Sequence, residues 1–239
     1  MSSNLAIKLR TGTQKAHTAA ENVGFTKCFV KGVVDRACFA KFLGNLYCVY
    51  STLENALQTH SEHPLIKPLY FKQLNRQANL IQDLEFYYGK NWQNFISASP
   101  ATQIYVDRVK AVAATEPVLL LGHAYTRYMG DLSGGQMFQK LAQSALKLVD
   151  YQGTSFYYFE HIPDKAAFKD QYRKALNALP VDDITADKIV KEANDSFQFN
   201  MMMAKDLDSY LIQAIGQELF NSLTNTQTPG STELAHHSK

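Results

Sequence analysis

The chain has 239 residues, 46% hydrophobic and 19% charged, a globular composition with length enough for a core that can enclose a small molecule. Its 24 basic and 22 acidic residues leave a net charge of +2, too little to argue for nucleic-acid binding on charge alone. Twelve glycines and seven prolines disfavour a turn-rich all-β fold, and three cysteines exclude a disulfide scaffold.

The first ten residues lack the apolar stretch of a signal peptide. A first helix then carries Arg10, Gln14, His17 and Glu21, spaced four, three and four residues apart and so on one face. A cation, an imidazole and a carboxylate in a row suit a neutral imidazole that binds a metal through one nitrogen and is held through the other by Glu21. The same spacing also describes the solvated face of an ordinary helix. Cys28, Cys38 and Cys48 recur every ten residues, about 280° apart on a helix, and read as free buried thiols in a reducing compartment.

Asp35 caps a long helix with the stripe Phe39, Phe42, Leu43, Leu46, Tyr50, Leu53 and Leu57, stopped by Pro64. Ser99-Pro100 and Glu116-Pro117 both read as helix starts with Pro in the first position. The longest aliphatic run, Val118 to Leu121, falls far short of the roughly 18 residues that span a bilayer. From His123 to Lys140 the flanks are helix-forming, yet three glycines stand within six positions at about 1 kcal/mol each. Gly130 and Gly134 share a face, so this helix either bares its backbone to a flat ligand and bends, or ends at Gly134-Gly135 and restarts at Gln136. A stripe of Phe168, Tyr172, Ala175, Leu176 and Leu179 ends at Pro180. On it Lys169 and Arg173 repel at i,i+4 unless an anion lies between them, or else they are two solvated charges. One more long helix runs from Ile189 through Phe197, Asn200, Met203 and Tyr210 to Ala214. Nothing alternates with period two. The pattern predicts one all-α domain over residues 1–223 and a polar, disordered tail over 224–239.

Two segments resemble one family. His17-Thr-Ala-Ala-Glu21-Asn22 and Ala124-Tyr-Thr-Arg127-Tyr-Met-Gly130-Asp131-Leu-Ser-Gly134-Gly135-Gln136 are similar to haem oxygenase of the biliverdin-forming family, the second being its signature. The likeness extends through Asp83–Gly89, Tyr105–Arg108, Phe168–Arg173 and Glu192–Asn200, from about Leu5 to Leu223. The Phe25–Gly32 segment and the Pro229-Gly-Ser-Thr-Glu233 motif resemble the type found in photosynthetic bacteria and algal plastids.

The resemblance implies a single-domain helical bundle that holds haem b, as both substrate and prosthetic group, between a proximal helix and a glycine-kinked distal helix. It implies opening of the ring with O2 to biliverdin IXα, CO and Fe2+. Electrons come from reduced ferredoxin, and the product feeds phycobilin or phytochrome chromophore synthesis, with a bilin reductase downstream. A cytoplasmic or stromal location goes with it, and neither nucleic acid nor membrane is expected as a partner. Residue by residue, His17 matches the iron ligand and Glu21 its carboxylate partner. Gly130 and Gly134 match the glycines whose backbone meets the haem, and Asp131 the aspartate that organises distal waters. Arg10, Lys169 and Arg173 match propionate-binding cations; Tyr50, Tyr125, Phe197 and Asn200 match pocket residues. Gln14 departs from the lysine many relatives carry there. Two other readings stay open: a haem-binding protein for storage or sensing, and a helical thiaminase-like hydrolase, which needs an activated cysteine. A di-iron bundle would need Glu-x-x-His pairs, which the chain lacks. His60, His63, His236 and His237 read as surface groups and His123 as structural.

Overall fold

Capping side chains mark several of the expected helix starts in the computed structural model, which describes residues 4–227 and Pro229. Every regular element among them is a helix. The chain opens with α1 (Leu5–Gly12), α2 (Gln14–Glu21) and α3 (Gly24–Val30). The expected single first helix is thus two. Thr13 is buried, leaves α-helical geometry at φ −104° and ψ 0°, and turns its hydroxyl back to Leu9 O at 2.8 Å. Arg10 and His17 therefore sit on successive helices rather than on one continuous face.

Asp35 caps α4 (Arg36–Thr59) by accepting from Cys38 N at 2.8 Å, and the stripe from Phe39 to Leu57 faces the core as its spacing predicts. α5 spans Gln77–Tyr88. Ser99 caps α6 (Pro100–Thr115), with Pro100 in the first turn. Glu116-Pro117 opens a 3-10 turn, Pro117–Leu119, and α7 (Leu120–Leu146) begins one turn later than expected. α7 runs unbroken through Gly130, Gly134 and Gly135, which excludes the helix end considered there. Asp164 and Asp182 cap α8 (Lys165–Asn177) and α9 (Asp183–Asp206). The last long stripe is also two helices: the chain turns at Leu207 into α10 (Asp208–Ile215), and Gly216, at φ 85°, leads into α11 (Gln217–Thr224). Thr224 and Thr226, expected in the tail, lie within the described residues and accept from Lys27. The rest of the expected tail, Thr228 and residues 230–239, lies outside the described residues.

The core is built on α4, α6, α7 and α9, whose Tyr50, Tyr105, Leu121 and Ile189 are almost wholly buried. α7 and α9 meet backbone to backbone. A Cβ at Gly122 would come within 2.8 Å of Ala193 N and Ile189 O. Next to that contact, Glu192 binds Arg108 of α6 through Nε at 2.9 Å and Nη2 at 2.5 Å. His123 Nε2 lies 2.8 Å from Glu192 Oε1, so one carboxylate joins three helices. Two more buried carboxylates staple α5. Glu54 accepts from Arg76 N at 2.5 Å and Gln77 N at 3.2 Å; Asp83 accepts from Ser155 N at 2.7 Å and Phe156 N at 2.8 Å. Burial pushes both carboxyls up to about 7 against those donors. No helix of the described residues is long and apolar enough to cross a membrane.

Burial opposes ionisation of Glu192, but His123 and Arg108 outweigh it and hold the carboxyl down at about 2. Its folded value lies below the ordinary 4.5, so its contribution is complete above that pH and disappears as pH falls through about 2. Glu192→Gln is expected to cost about 3 kcal/mol at neutral pH. Urea unfolding followed by circular dichroism should also show the loss of stability between pH 4.5 and 2 flattened in the variant.

Candidate active site

Four helices supply the candidate residues. On α2, His17 is half-buried. Its Nδ1 is 3.6 Å from Glu21 Oε1, longer than a hydrogen bond, and is buried without a hydrogen-bond partner among the described residues. With Nδ1 on the Glu21 side, Nε2 is the nitrogen left for a metal. Phe197 of α9 packs edge-on against the imidazole, ring centroids 5.7 Å apart. One turn further along α9, Asn200 Oδ1 accepts from Arg127 Nη1 at 2.5 Å. α9 thereby touches the histidine helix and α7 within four residues.

On α7, Gly130 is exposed and has nothing within 4 Å of where a Cβ would stand; Gly134 meets only the Phe138 ring, at 3.6 Å. Gly135 packs on Tyr157 at 3.3 Å. The glycines therefore have separate uses, Gly130 leaving backbone bare and Gly135 closing the core. A lone imidazole and an open backbone cradle suit a metal that brings a flat set of ligands of its own, because no group of three or more His, Cys, Asp or Glu able to hold a bare ion occurs among the described residues.

Behind Gly130 lies a buried polar cluster. The Tyr50 hydroxyl donates to Asp131 Oδ2, and Arg127 Nε donates to the Tyr50 oxygen at 3.0 Å. The guanidinium lies over the Tyr50 ring at 4.9 Å and 3.9 Å from Asp131 Oδ1. Phe156 packs on the other side of Tyr50, at 5.3 Å. Burial pushes the Asp131 carboxyl up, while Arg127, Tyr50 and Arg76 pull it back. Burial holds the Tyr50 hydroxyl well above its ordinary value, so it stays a donor. Arg127 stands in the signature segment but was given no role from sequence. Its i,i+4 spacing to Asp131 is the signal that points to it.

At the rim, Tyr125 is half-buried. Burial raises its hydroxyl, opposed by the charges of Arg173 and Arg10. Arg10 is exposed at the end of α1. Lys169 Nζ reaches Ser133 Oγ of α7 at 3.3 Å, and Arg173 Nη1 pairs with Asp170 Oδ1 at 2.6 Å. Each cation thus has a protein partner, so their i,i+4 repulsion does not by itself call for an anion. None of the cysteines is an activated nucleophile: burial pushes the Cys38 thiol up to about 12 and raises those of Cys28 and Cys48. The hydrolase reading loses its chemistry there. Two surface hollows of about 300 and 210 Å³, both beside Lys41 and Tyr210, include no candidate residue.

Comparison with known proteins agrees with this geometry. A family model described as Heme oxygenase matches residues 3–206. The chain is 54% identical to heme oxygenase 1 of Nostoc sp. (strain PCC 7120), over 98% of this chain and 99% of that one. A crystal structure of heme oxygenase-2 from Synechocystis sp. PCC 6803, in complex with heme and NO, superposes with a TM-score of 0.95 at 48% identity, covering 97% of this chain and 96% of that one. Heme oxygenase-1 from the same organism, in complex with heme, superposes with a TM-score of 0.87 at 55% identity over 92% of this chain and 100% of that one. On the family model and on relatives this similar over nearly the whole chain, the chain belongs to the haem oxygenase family.

Proposed function

We propose that the chain opens haem b at the α-meso carbon, using O2 and electrons from reduced ferredoxin, to give biliverdin IXα, CO and Fe2+ for phycobilin or phytochrome chromophore synthesis, in the cytoplasm or a plastid stroma and upstream of a bilin reductase. The observation that carries this reading is the pairing of His17, an imidazole with no hydrogen-bond partner for its buried nitrogen among the described residues, with a bare stretch of α7 at Gly130 backed by the Asp131 cluster. When bound, haem supplies both the iron that activates O2 and the carbon that is attacked.

The chain's own residues do the rest. His17 would offer Nε2 to the iron, and Glu21 is placed to orient the ring from its Nδ1 side. The open face at Gly130 lets α7 backbone approach a flat ring, where any side chain would fill the gap. Asp131 holds proton-donating water in reach of that face. Burial pushes its carboxyl up, with Arg127, Tyr50 and Arg76 opposing. Tyr50 and Arg127 keep it in place by donating to it and to each other. A buried carboxylate with its own donors is expensive to desolvate and has no use in mere storage, which favours turnover over a storage or sensing role. At the rim, Arg10, Lys169 and Arg173 hold the propionates, and exposed Lys15 and Lys174 extend the basic edge toward an acidic ferredoxin.

Haemin added to the unmodified chain is expected to give a histidine-ligated Soret spectrum and, with reductant under air, biliverdin. His17→Ala should still bind haemin through burial of the macrocycle, but lose that spectrum and pigment formation, with partial return on adding imidazole. An unchanged spectrum and rate would assign ligation elsewhere.

Replacing Lys169 and Arg173 together by Ala should free the propionates and let the ring rotate in its plane. Chromatography of the product should then show several biliverdin isomers; a single IXα product would leave regiochemistry to α7 alone.

Ferredoxin-driven turnover should slow as salt rises, since the Debye length falls from about 10 Å at 0.1 M to about 3 Å at 1 M. Turnover driven by ascorbate should change less. Lys15→Glu should raise the apparent KM for ferredoxin and leave the haem spectrum alone. Salt-independent kinetics with ferredoxin would move the docking face elsewhere.

A further inference from the structure

Lys27 is among the few charged side chains the fold buries, only 8% exposed, in a residue type that is rarely interior without a partner. It lies on α3, the helix that starts three residues after Glu21, and it bonds no carboxylate. Its Nζ donates instead to Thr224 O at 3.2 Å, in the last residue of α11, and to Thr226 O at 2.6 Å, two residues beyond that helix. Lys31, one turn on and exposed, donates to Leu223 O at 2.8 Å. The other end of α3 is held by the same segment. Asp208 Oδ1 of α10 accepts from Phe25 N at 2.9 Å, and the Phe220 ring comes so close to Gly24 that a Cβ there would meet it at 2.5 Å. Both α10 and α11 lie beyond residue 206, where the match to the family model ends.

α3 itself backs both walls of the candidate site. It follows directly on the helix of His17 and Glu21. Its Phe29 packs edge-on against Phe138 of α7 at 5.1 Å, and Phe138 is the ring that lies under Gly134. At seven residues it is too short to hold its own shape in water. Its place therefore depends on what grips it from outside.

We propose that Lys27 is a positioning residue for the haem cleft: by binding carbonyls at and just beyond the end of α11 it locks α3 between the histidine helix and Phe138, so that α10 and α11 act as a strap that sets the grip on haem. This rests on the reading that His17 and the Gly130–Gly134 face bracket haem. Lys27 touches neither the haem nor the reacting atoms and acts through α3 alone.

The test compares full-length Lys27→Met, which keeps the apolar stem, with Lys27→Arg and with Lys31→Met. Three readouts are taken: hydrogen exchange of α3 amides in the haem-free chain, release of haemin into excess apomyoglobin, and the melting temperature. Charge-assisted bonds to two carbonyls are strong enough to change opening of a short segment by about tenfold or more. Lys27→Met should speed exchange over α3, α10 and α11 by about that factor while α4, α6 and α9 stay protected, and should speed haemin release about tenfold. Lys27→Arg should return both to within about threefold of the unmodified chain. Lys31→Met, which loses one exposed contact, should change either by less than about threefold. A merely structural role would show as a lower melting temperature with exchange raised in all helices alike and haemin release unchanged, and that result overturns the proposal. So does faster exchange in α3 with haemin retained as before. If the unmodified chain gives no histidine-ligated spectrum, the reading of the site falls, and the proposal with it.

Discussion

Everything at the site depends on two helices being held apart while both are fixed to a third. A slot for a flat ring needs walls that do not collapse on each other, and apolar walls left free would do so. Here α9 takes the place of a direct contact. It meets α7 at Gly122, so closely that any side chain would strike its backbone, and bonds on through Thr126 to Ala193 O and Arg127 to Asn200. On its other side it reaches the first two helices, with Asn194 bound to Gly12 O and Phe197 set against His17. Glu192, tied to Arg108 and His123, anchors that same stretch of α9 in the core. The spacing of the walls is thus set by a backbone contact on the α7 side and side-chain contacts to the first two helices, rather than by whatever fills the slot.

The polar groups divide by cost. Charges that must not move are held by partners: Glu192 by the Arg108 guanidinium with the His123 ring beside it, and Asp131 by Tyr50 and Arg127. Removing one partner of such a set strands the other in low dielectric, so these sets also fix the fold. The Asp131 cluster lies at the candidate site and is also a joint between α4, α7 and α9. That double duty keeps the aspartate in place although burial pushes its carboxyl up. Its neighbours are held by packing, with Phe156 fixed over Tyr50 by the Asp83 carboxylate one layer back.

Much of this was legible from residue order alone, and the places where it was not share a cause. The α4 stripe, the caps at Asp35 and Ser99, and the His17, Gly130 and Asp131 positions follow from periodicity, capping chemistry and a family motif. The breaks at Thr13 and Leu207 do not, because the helical spacing, polar across the first and apolar across the second, continues through them; tertiary contacts decide there, with Gly12 O taken by Asn194 and Asp208 taken by α3. Arg127 escaped assignment because its partners Tyr50 and Asn200 are more than seventy positions away. Gly122 is invisible as a spacing residue until the helix opposite is known. The α7 glycines left two outcomes open in sequence, and the structure separates them by use, one facing open space and another a tyrosine ring.

The rim is built on the opposite principle from the core, and that contrast bears on how ligand enters. Arg173 pairs with Asp170, three residues before it on α8, both well exposed, and Lys169 reaches a serine hydroxyl. Exposed pairs of this kind contribute no more than about 1 kcal/mol and are screened by salt. A propionate offers Arg173 a bidentate, charge-assisted partner in place of a single surface carboxylate, and offers Lys169 a charge in place of a neutral hydroxyl. Exchange of partners therefore runs toward the ligand without opening any buried set. The cations are kept oriented but cheaply held before binding, which lowers the entropy cost of capturing a carboxylate and leaves the walls, set by α9, unmoved.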